Sequence, residues 1–409
     1  MRLPPLALGL ALLACSDPAP APRPDPAPAP EPELPDLAQE EPLAPTDVDT
    51  RLVDLDTLAP PARREPSPPL SVIERPSGAR LAAPDGFRVQ RVAEGLANAD
   101  SLALDRRGTL HVIDRAGSRI VRLEDADRDG VAETRSVFAD ADDGLDHPGA
   151  MVFTPGAAFI AQRGAVMRHA LPEGQTALEG TGGQVASFPD SPTAWGPSLV
   201  LAPDRQHLYV GIGAGARVRR PPPLAASVLE INFSGSQRRT VATGLHQAVL
   251  GFHGPSHALV AVVAERPDVS AAPDLVTRVT EGAHYGWPTH VAGRPDPRSA
   301  GGETPAASDA LLAPGSAPRA LAWGGPGWPE PYRNAALVAL AGSDARPPAV
   351  IAIQMRPDGT PQEALPLLSG FTTEAGAWGR PSGLAVHPDG SLYVSDGPGG
   401  HVFRVLPPR

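Results

Sequence analysis

Lysine is absent from the chain, so all 35 of its fixed side-chain cations are arginines. Against 46 Asp and Glu they leave a formal net charge of −11. An acidic chain without a lysine cluster is a poor partner for nucleic acid or anionic lipid headgroups, and no nucleic-acid partner is expected. Cysteine occurs once, which excludes a disulfide framework and a cysteine-ligated zinc site. Aromatic residues make up only 4%, so any core must be mostly aliphatic. No apolar run reaches the roughly 18 residues that a membrane-spanning helix needs. What abounds is proline, at 52, and glycine, at 42, both above average usage. With 409 residues, 41% of them hydrophobic, the chain can still bury a large core.

The first residues read as an address. Met1-Arg2 precedes an apolar run from Leu3 to Ala14, then Cys15-Ser16-Asp17. A short basic start and a short apolar run form a signal peptide over 1–14. The end of the run, Leu12-Leu13-Ala14-Cys15, resembles the lipobox of bacterial lipoproteins, in which the cysteine is acylated and becomes the first residue. Acylation needs a thiol as acceptor, which accounts for the only cysteine falling there. Two acyl chains give stable anchoring where one is marginal. The expected location is extracytoplasmic, on a bacterial membrane through the lipid anchor only.

Residues 15–84 read as a disordered Pro/Ala-rich tether. Residues 1–80 hold 19 of the 52 prolines, in runs such as Pro18-Ala-Pro-Ala-Pro. Such a segment buries too little apolar surface to fold and favours extended polyproline II. At about 3.1 Å per residue it would reach as far as roughly 200 Å. Apolar and acidic residues alternate at Val48–Leu58, which leaves a docking segment open, with disorder the favoured reading.

From residue 85 to 409 the pattern is a repeat. A three-residue apolar step recurs at Leu102-Ala103-Leu104, Met151-Val152-Phe153, Leu199-Val200-Leu201, Leu250-Gly251-Phe252, Leu321-Ala322-Trp323 and Leu384-Ala385-Val386. Turn residues and a second apolar run follow most copies, as in Asp105-Arg-Arg-Gly108 before Leu110-His-Val-Ile-Asp114. Short apolar runs joined by Asp-Gly-type turns are antiparallel hairpins. No segment holds a 3.6-residue apolar period over three turns, so helices should be few. Six such units argue for an all-β, six-bladed β-propeller. Pairing of the last repeat with residues near Phe87–Val92 would close the ring and remove its exposed edges.

Several stretches carry a family resemblance. They are Pro273-Asp-Leu-Val-Thr-Arg-Val-Thr-Glu-Gly282-Ala-His-Tyr285-Gly-Trp287-Pro288, the block from Ser316 to Arg333, and Trp378-Gly-Arg380-Pro381 through Asp396. On these, the chain from about Gly86 to Val405 resembles the glucose/sorbosone dehydrogenase family. That resemblance implies a six-bladed propeller using pyrroloquinoline quinone (PQQ) and calcium to oxidise sugars. It also implies a histidine that takes the proton of the sugar hydroxyl, with His147 nearest that position. Residues leading into the innermost strands would ring the axis: Asp100, His147, Trp195, His246, Gln247, Arg319 and Arg380, with Arg346 close by. Of these, Trp195, His246, Gln247, Arg319, Arg346 and Arg380 are the candidate cofactor contacts. Two imidazoles and several guanidiniums suit a carboxylated ligand. The chain departs from the family where Gly244-Leu245-His246-Gln247 replaces a Gly-Leu-Arg-Asn pattern, where Gly342-Ser343-Asp344-Ala345-Arg346 replaces Gly-Ser-Trp-Asn-Arg, and at Gly315, where relatives carry histidine.

Asp125-Ala-Asp127-Arg-Asp129-Gly130 begins like a calcium loop, with Glu133 at its ninth position but Ser136 at its twelfth. An acidic hairpin tip is the competing reading of Asp125, Asp127, Asp129 and Glu133. The expected function is therefore a lipid-anchored, PQQ- and calcium-dependent sugar dehydrogenase-like oxidoreductase. The alternative is a catalytically degenerate propeller whose ring binds a sugar, another anionic or polar ligand, or a protein. The lipid expectation has a direct check. Cells fed a palmitate analogue should label the wild-type protein and not Cys15→Ser; equal labelling of both would remove the anchor.

Overall fold

The computed structural model describes residues 39–40, 48, 50–65, 70–127, 129–189, 196–214, 222–296, 299 and 302–408. The residues read above as a signal peptide, Cys15, and about half of the stretch read as a tether lie outside them. Among the described residues no helix is long and apolar enough to cross a membrane, and the only helical elements are two 3-10 turns, Leu55–Thr57 and Ala141–Asp143.

Six antiparallel sheets follow one another along the chain. Blade 1 runs Ala99–Leu104, Leu110–Asp114, Arg119–Glu124 and Thr134–Ala139. Blades 2 to 5 start with Ala150–Thr154, Ser198–Leu201, Ala248–Phe252 and Pro318–Trp323 in the same manner. Blade 6 takes Pro381–Val386, Leu392–Asp396 and His401–Leu406 from the end of the chain, and its fourth strand, Arg88–Ala93, from before blade 1. Val89 pairs with Val405 and Arg91 with Phe403, so the ring is closed by the segment the repeat pattern points to. The six first strands touch in a closed cycle around the axis, and each contains one copy of the apolar step.

Both faces of every blade are covered, which explains the continuous apolar runs of its middle strands. Neighbouring residues of a strand point to opposite faces. In blade 1, Val112 enters the core shared with blade 6 and Ile113 the core shared with blade 2. Leu337 and Val338 divide in the same way between blades 6 and 4. Six buried clusters result, one at each junction.

The second strands of blades 1 and 6 both end in a fully buried aspartate. Asp114 accepts the Gly117 amide at 3.2 Å and Arg119 Nε at 2.9 Å. Asp396 accepts the amides of Gly399, at 3.2 Å, and Arg380, at 2.7 Å. Each carboxylate fastens the turn to the next strand, and Asp396 also fixes the residue that opens its own blade.

The boundary drawn at residue 84 differs from the structure, in which 50–65 and 70–84 form a strap on the propeller. The Thr50 hydroxyl donates to Ala364 O at 2.9 Å and the Val53 amide to Leu311 O at 2.9 Å. Ala62–Arg63 pairs with Val269–Ser270, Val72 bridges to Ala377 and Ala82 to Ser369. Arg294 donates to the carbonyls of Leu55, Leu58 and Ala59. The Arg75 guanidinium lies 4.8 Å from the Trp378 ring centroid, a cation–π contact. The strap is poor in apolar side chains, as composition indicates. Those it has meet clefts already lined by the blades: Leu52 at junction 4/5, Val53 and Leu55 at 3/4, and Leu81 at 5/6. Alternation at Val48–Leu58 thus marks a docking segment. Leu81 is fully buried, so Leu81→Ala should lower the unfolding free energy by about 2–5 kcal/mol in denaturant titration. A chain starting at residue 85 should melt below one starting at residue 48.

Candidate functional site

Strands alternate in direction, so the loops entering each first strand share one face with the loops joining second to third strands. That face holds the mouth of the axial channel. A cavity of about 360 Å³ opens there, lined by Asp100, Gln247, Arg319 and Ser382 at the mouth and by Leu102, Leu250 and Leu384 farther in. Gly149 and Gly196 stand back to back on its wall. A Cβ on Gly149 would lie 2.6 Å from Gly196 Cα, so a side chain at either would push blades 2 and 3 apart.

Asp100 and Arg319 meet across the mouth, the carboxylate accepting from Arg319 Nη2 at 2.6 Å. Blades 1 and 5 are thereby linked over blade 6. Burial lowers the Arg319 guanidinium from its ordinary value; Asp100 opposes this, and the positive charges of Arg380 and Arg115 add to it. Burial also lowers Arg115 and Arg380; Asp100 opposes this for Arg115, where Arg163 adds to it, and Asp396 opposes it for Arg380. Arg380 is oriented by Ala341 O at 3.2 Å and by the strap's Leu70 O at 3.3 Å. A run of guanidiniums thus flanks one carboxylate at the mouth, an arrangement whose self-repulsion a bound anion would relieve.

His147 stands on the same face with φ +50°, in the left-handed region that costs a non-glycine residue energy. Its Nδ1 is 2.7 Å from Asp146 Oδ1, and Arg163 Nη1 is 3.8 Å from the same oxygen. With Nδ1–H donated to Asp146, Nε2 is the acceptor, the tautomer a general base needs.

The remaining ring candidates divide. Gln247 faces the cavity and donates to Ala214 O at 3.2 Å. His246, one residue earlier, is buried at 3% exposure with Nδ1 3.0 Å from Ala264 O and no partner at Nε2. Burial pushes its pKa down to about 4, so it is neutral in the folded protein near neutrality. Arg346 sits in the blade 5 loop, donating to Pro314 O at 3.2 Å. Trp195 lies outside the described residues. Sequence reasoning missed Arg115 and Arg163; Asp146 it read only as part of an acid cluster leading into His147, a solvated loop that could lend a ligand near the ring. The two arginines occupy equivalent places just after the second strands of blades 1 and 2, which an alignment of those strands would have exposed.

The acidic quartet is elsewhere. Oxygens of Asp125, Asp127, Asp129 and Glu133 lie within 4.8 Å of one another, in a loop joining third to fourth strands and hence on the opposite face. The carboxylates already serve the loop: Asp125 accepts the Gly130 amide at 2.8 Å, Glu133 that of Ala126 at 2.6 Å and Asp129 that of Val131 at 2.7 Å. Ser136 is held in the fourth strand opposite Arg122.

The mouth's ion pair yields a prediction. Asp100→Asn should cost about 3–5 kcal/mol in unfolding free energy, because it strands a buried guanidinium, and Asp100→Asn with Arg319→Met should recover most of it. A single-variant loss below about 1 kcal/mol, the range of a solvent-screened pair, would deny the pair its buried character.

A family model described as a domain of unknown function (DUF7133) matches residues 75–177. No curated protein matches the chain by sequence. In structure the chain is similar to the Carbohydrate-Active Enzymes Family AA12 protein of Trichoderma reesei, at TM-score 0.67 and 16% identity over 83% of this chain and 100% of that one. It is similar to the PQQ domain of pyranose dehydrogenase from Coprinopsis cinerea, at 0.64 and 16% over 82% and 98%. A PQQ-bound aldose sugar dehydrogenase from Streptomyces coelicolor gives 0.57 and 17% over 79% and 99%. At such identities the likeness is one of architecture: the chain has the six-bladed propeller fold of the PQQ-dependent sugar dehydrogenases.

Proposed function

We propose that the protein is a PQQ- and calcium-dependent dehydrogenase of aldoses or related sugars, held at a bacterial membrane by a lipid on Cys15. The observation that carries this reading is the crowding of Arg115 and Arg380 about the Asp100–Arg319 pair, on the face that also holds the His147–Asp146 pair. The donor set fits a polycarboxylate: planar guanidiniums bind carboxylates in two-pronged fashion, and these stay cationic on burial. Arg380 and Arg115 would hold the cofactor's carboxylates, with Gln247 offering an amide at the rim. PQQ, when bound, accepts the two electrons removed from the sugar. His147 Nε2 takes the hydroxyl proton, and Asp146 stabilises the resulting imidazolium through Nδ1. The acidic quartet plays no part in that chemistry, being on the far face; a calcium ion there would brace a loop.

The second reading, a propeller that binds a ligand without turnover, is favoured by one observation: Asp100 already neutralises Arg319. Titration calorimetry with PQQ in excess calcium separates the two. The dehydrogenase reading expects saturable binding, weakened about 10- to 100-fold by Arg380→Ala through loss of a charged hydrogen bond. It also expects dye reduction with an aldose, slowed about 10²–10⁴-fold by His147→Ala. No heat at high micromolar PQQ leaves the binding propeller.

A further inference from the structure

At the junction of blades 4 and 5, on the mouth face, two buried acids remain unused by that chemistry. Asp274 and Glu265 lie at opposite ends of the loop joining the second and third strands of blade 4, 4% and 9% exposed. Asp274 Oδ1 accepts the Glu265 amide at 2.8 Å. Its Oδ2 accepts the amide of Ala317 at 2.8 Å, two residues before Arg319. Asp274 therefore ties the blade 4 loop to the turn that delivers Arg319 to the mouth.

Glu265 has weaker support: the Arg266 amide and the Arg266 charge favour its anion, but burial and Asp274 outweigh them. Its Oε2 is buried with no hydrogen-bond partner. The neighbouring Arg266 spends its guanidinium on Asp268 at 3.2 Å, Asp296 at 2.6 Å and Pro288 O at 3.2 Å. Arg346, from blade 5, acts on Asp274. His246, which packs beneath Ala264, is neutral. A buried carboxylate whose nearest cation is hydrogen-bonded to other acids, and which lies beside a second carboxylate, is costly to ionise, and such groups take up a proton instead.

We propose that Glu265 is a neutral carboxylic acid at neutral pH, and that the Glu265–Asp274 pair is a clasp that positions Arg319 for an anion at the mouth only while it keeps that proton. The anion half of this statement rests on the proposed function. The electrostatics agree with the geometry. Burial, and then Asp274, pushes Glu265 up to about 8, and burial pushes Asp274 up to about 7. Two acids raised in the folded state stabilise it most below their ordinary values near 4, and that contribution is lost as pH rises through about 7 and 8. Above this window two adjacent buried anions repel, and the loop and the turn are driven apart.

The test is thermal unfolding of the full chain between about pH 5 and about pH 9, wild type against Glu265→Gln, which keeps shape and removes the charge. The two should melt together at the acid end. As pH rises the wild type should fall progressively below the variant, with the gap fully open above about pH 8. Parallel curves, or a variant less stable throughout, overturn the proposal. PQQ affinity over the same range reads the positioning. It should drop about tenfold for the wild type per pH unit lost above the window and stay flat for Glu265→Gln. Equal pH dependence in the two overturns the positioning role. Absence of PQQ binding at every pH defeats the proposed function instead, while the melting curves still decide the state of Glu265.

Discussion

A blade of this ring cannot stand alone, because both of its faces are apolar. Val112 and Ile113 are adjacent in one strand, fully buried, and committed to different neighbours. Any blade left at an end would expose one such face and a row of unpaired backbone groups. The chain meets this constraint by lending Arg88–Ala93 to the last blade. Antiparallel pairing between residues more than 300 positions apart then binds the first element to the last. Closure at long range makes the folding unit the whole ring, since no subset of blades has all its surfaces covered.

The site inherits its geometry from that closure. Asp100 and Arg319 lie 219 residues apart and reach 2.6 Å only because blades 1 and 5 flank blade 6 around a common axis. Gly149 and Gly196 show how tightly the entries are drawn together, with no room for a Cβ between them. The mouth is a set of strand starts, two of them fixed by backbone hydrogen bonds to the buried carboxylates of Asp396 and Asp274. Positions set in this way are rigid, and rigidity is what lets several like charges stay close instead of splaying into solvent. The strap adds to this by placing the Leu70 carbonyl on Arg380.

The architecture was legible because its signal is periodic and redundant. Six copies of an apolar step, most of them followed by Asp, Gly or Pro turns, overdetermine a propeller, and Phe87–Val92 lies just ahead of the first copy, where it can pair with the last. The strap was not legible, since Leu52, Val53, Leu55 and Leu81 find partners only at clefts that exist once the blades have assembled. The mouth was legible in part. Arg319, Arg380 and Gln247 come from the strand-entry rule. Whether His246 or Gln247 faces the axis is decided by a single step of register, which alternates sides and leaves no trace in composition. Arg115 and Arg163 belong to loops whose course depends on their neighbours, and Glu265 carries no local mark of its protonation.

The absence of lysine bears on how this face can respond to its surroundings. A buried lysine can surrender its proton near neutrality, whereas a guanidinium keeps its charge at any pH a protein survives. Arg115, Arg319 and Arg380 therefore supply a constant positive field at the mouth, despite the downward pull of burial. Everything variable must come from groups of the other kind. His147 gains a charge when it takes the substrate's proton, and Glu265 and Asp274 change charge as pH rises through about 8 and about 7. The first event adds a positive charge beside Asp146, while the second adds a negative one behind Arg319. Because the cations cannot adjust, each change must be absorbed by a bound anion or by movement of the loops. That makes the junction of blades 4 and 5, where two buried acids are packed side by side, the part of the ring most sensitive to alkaline conditions.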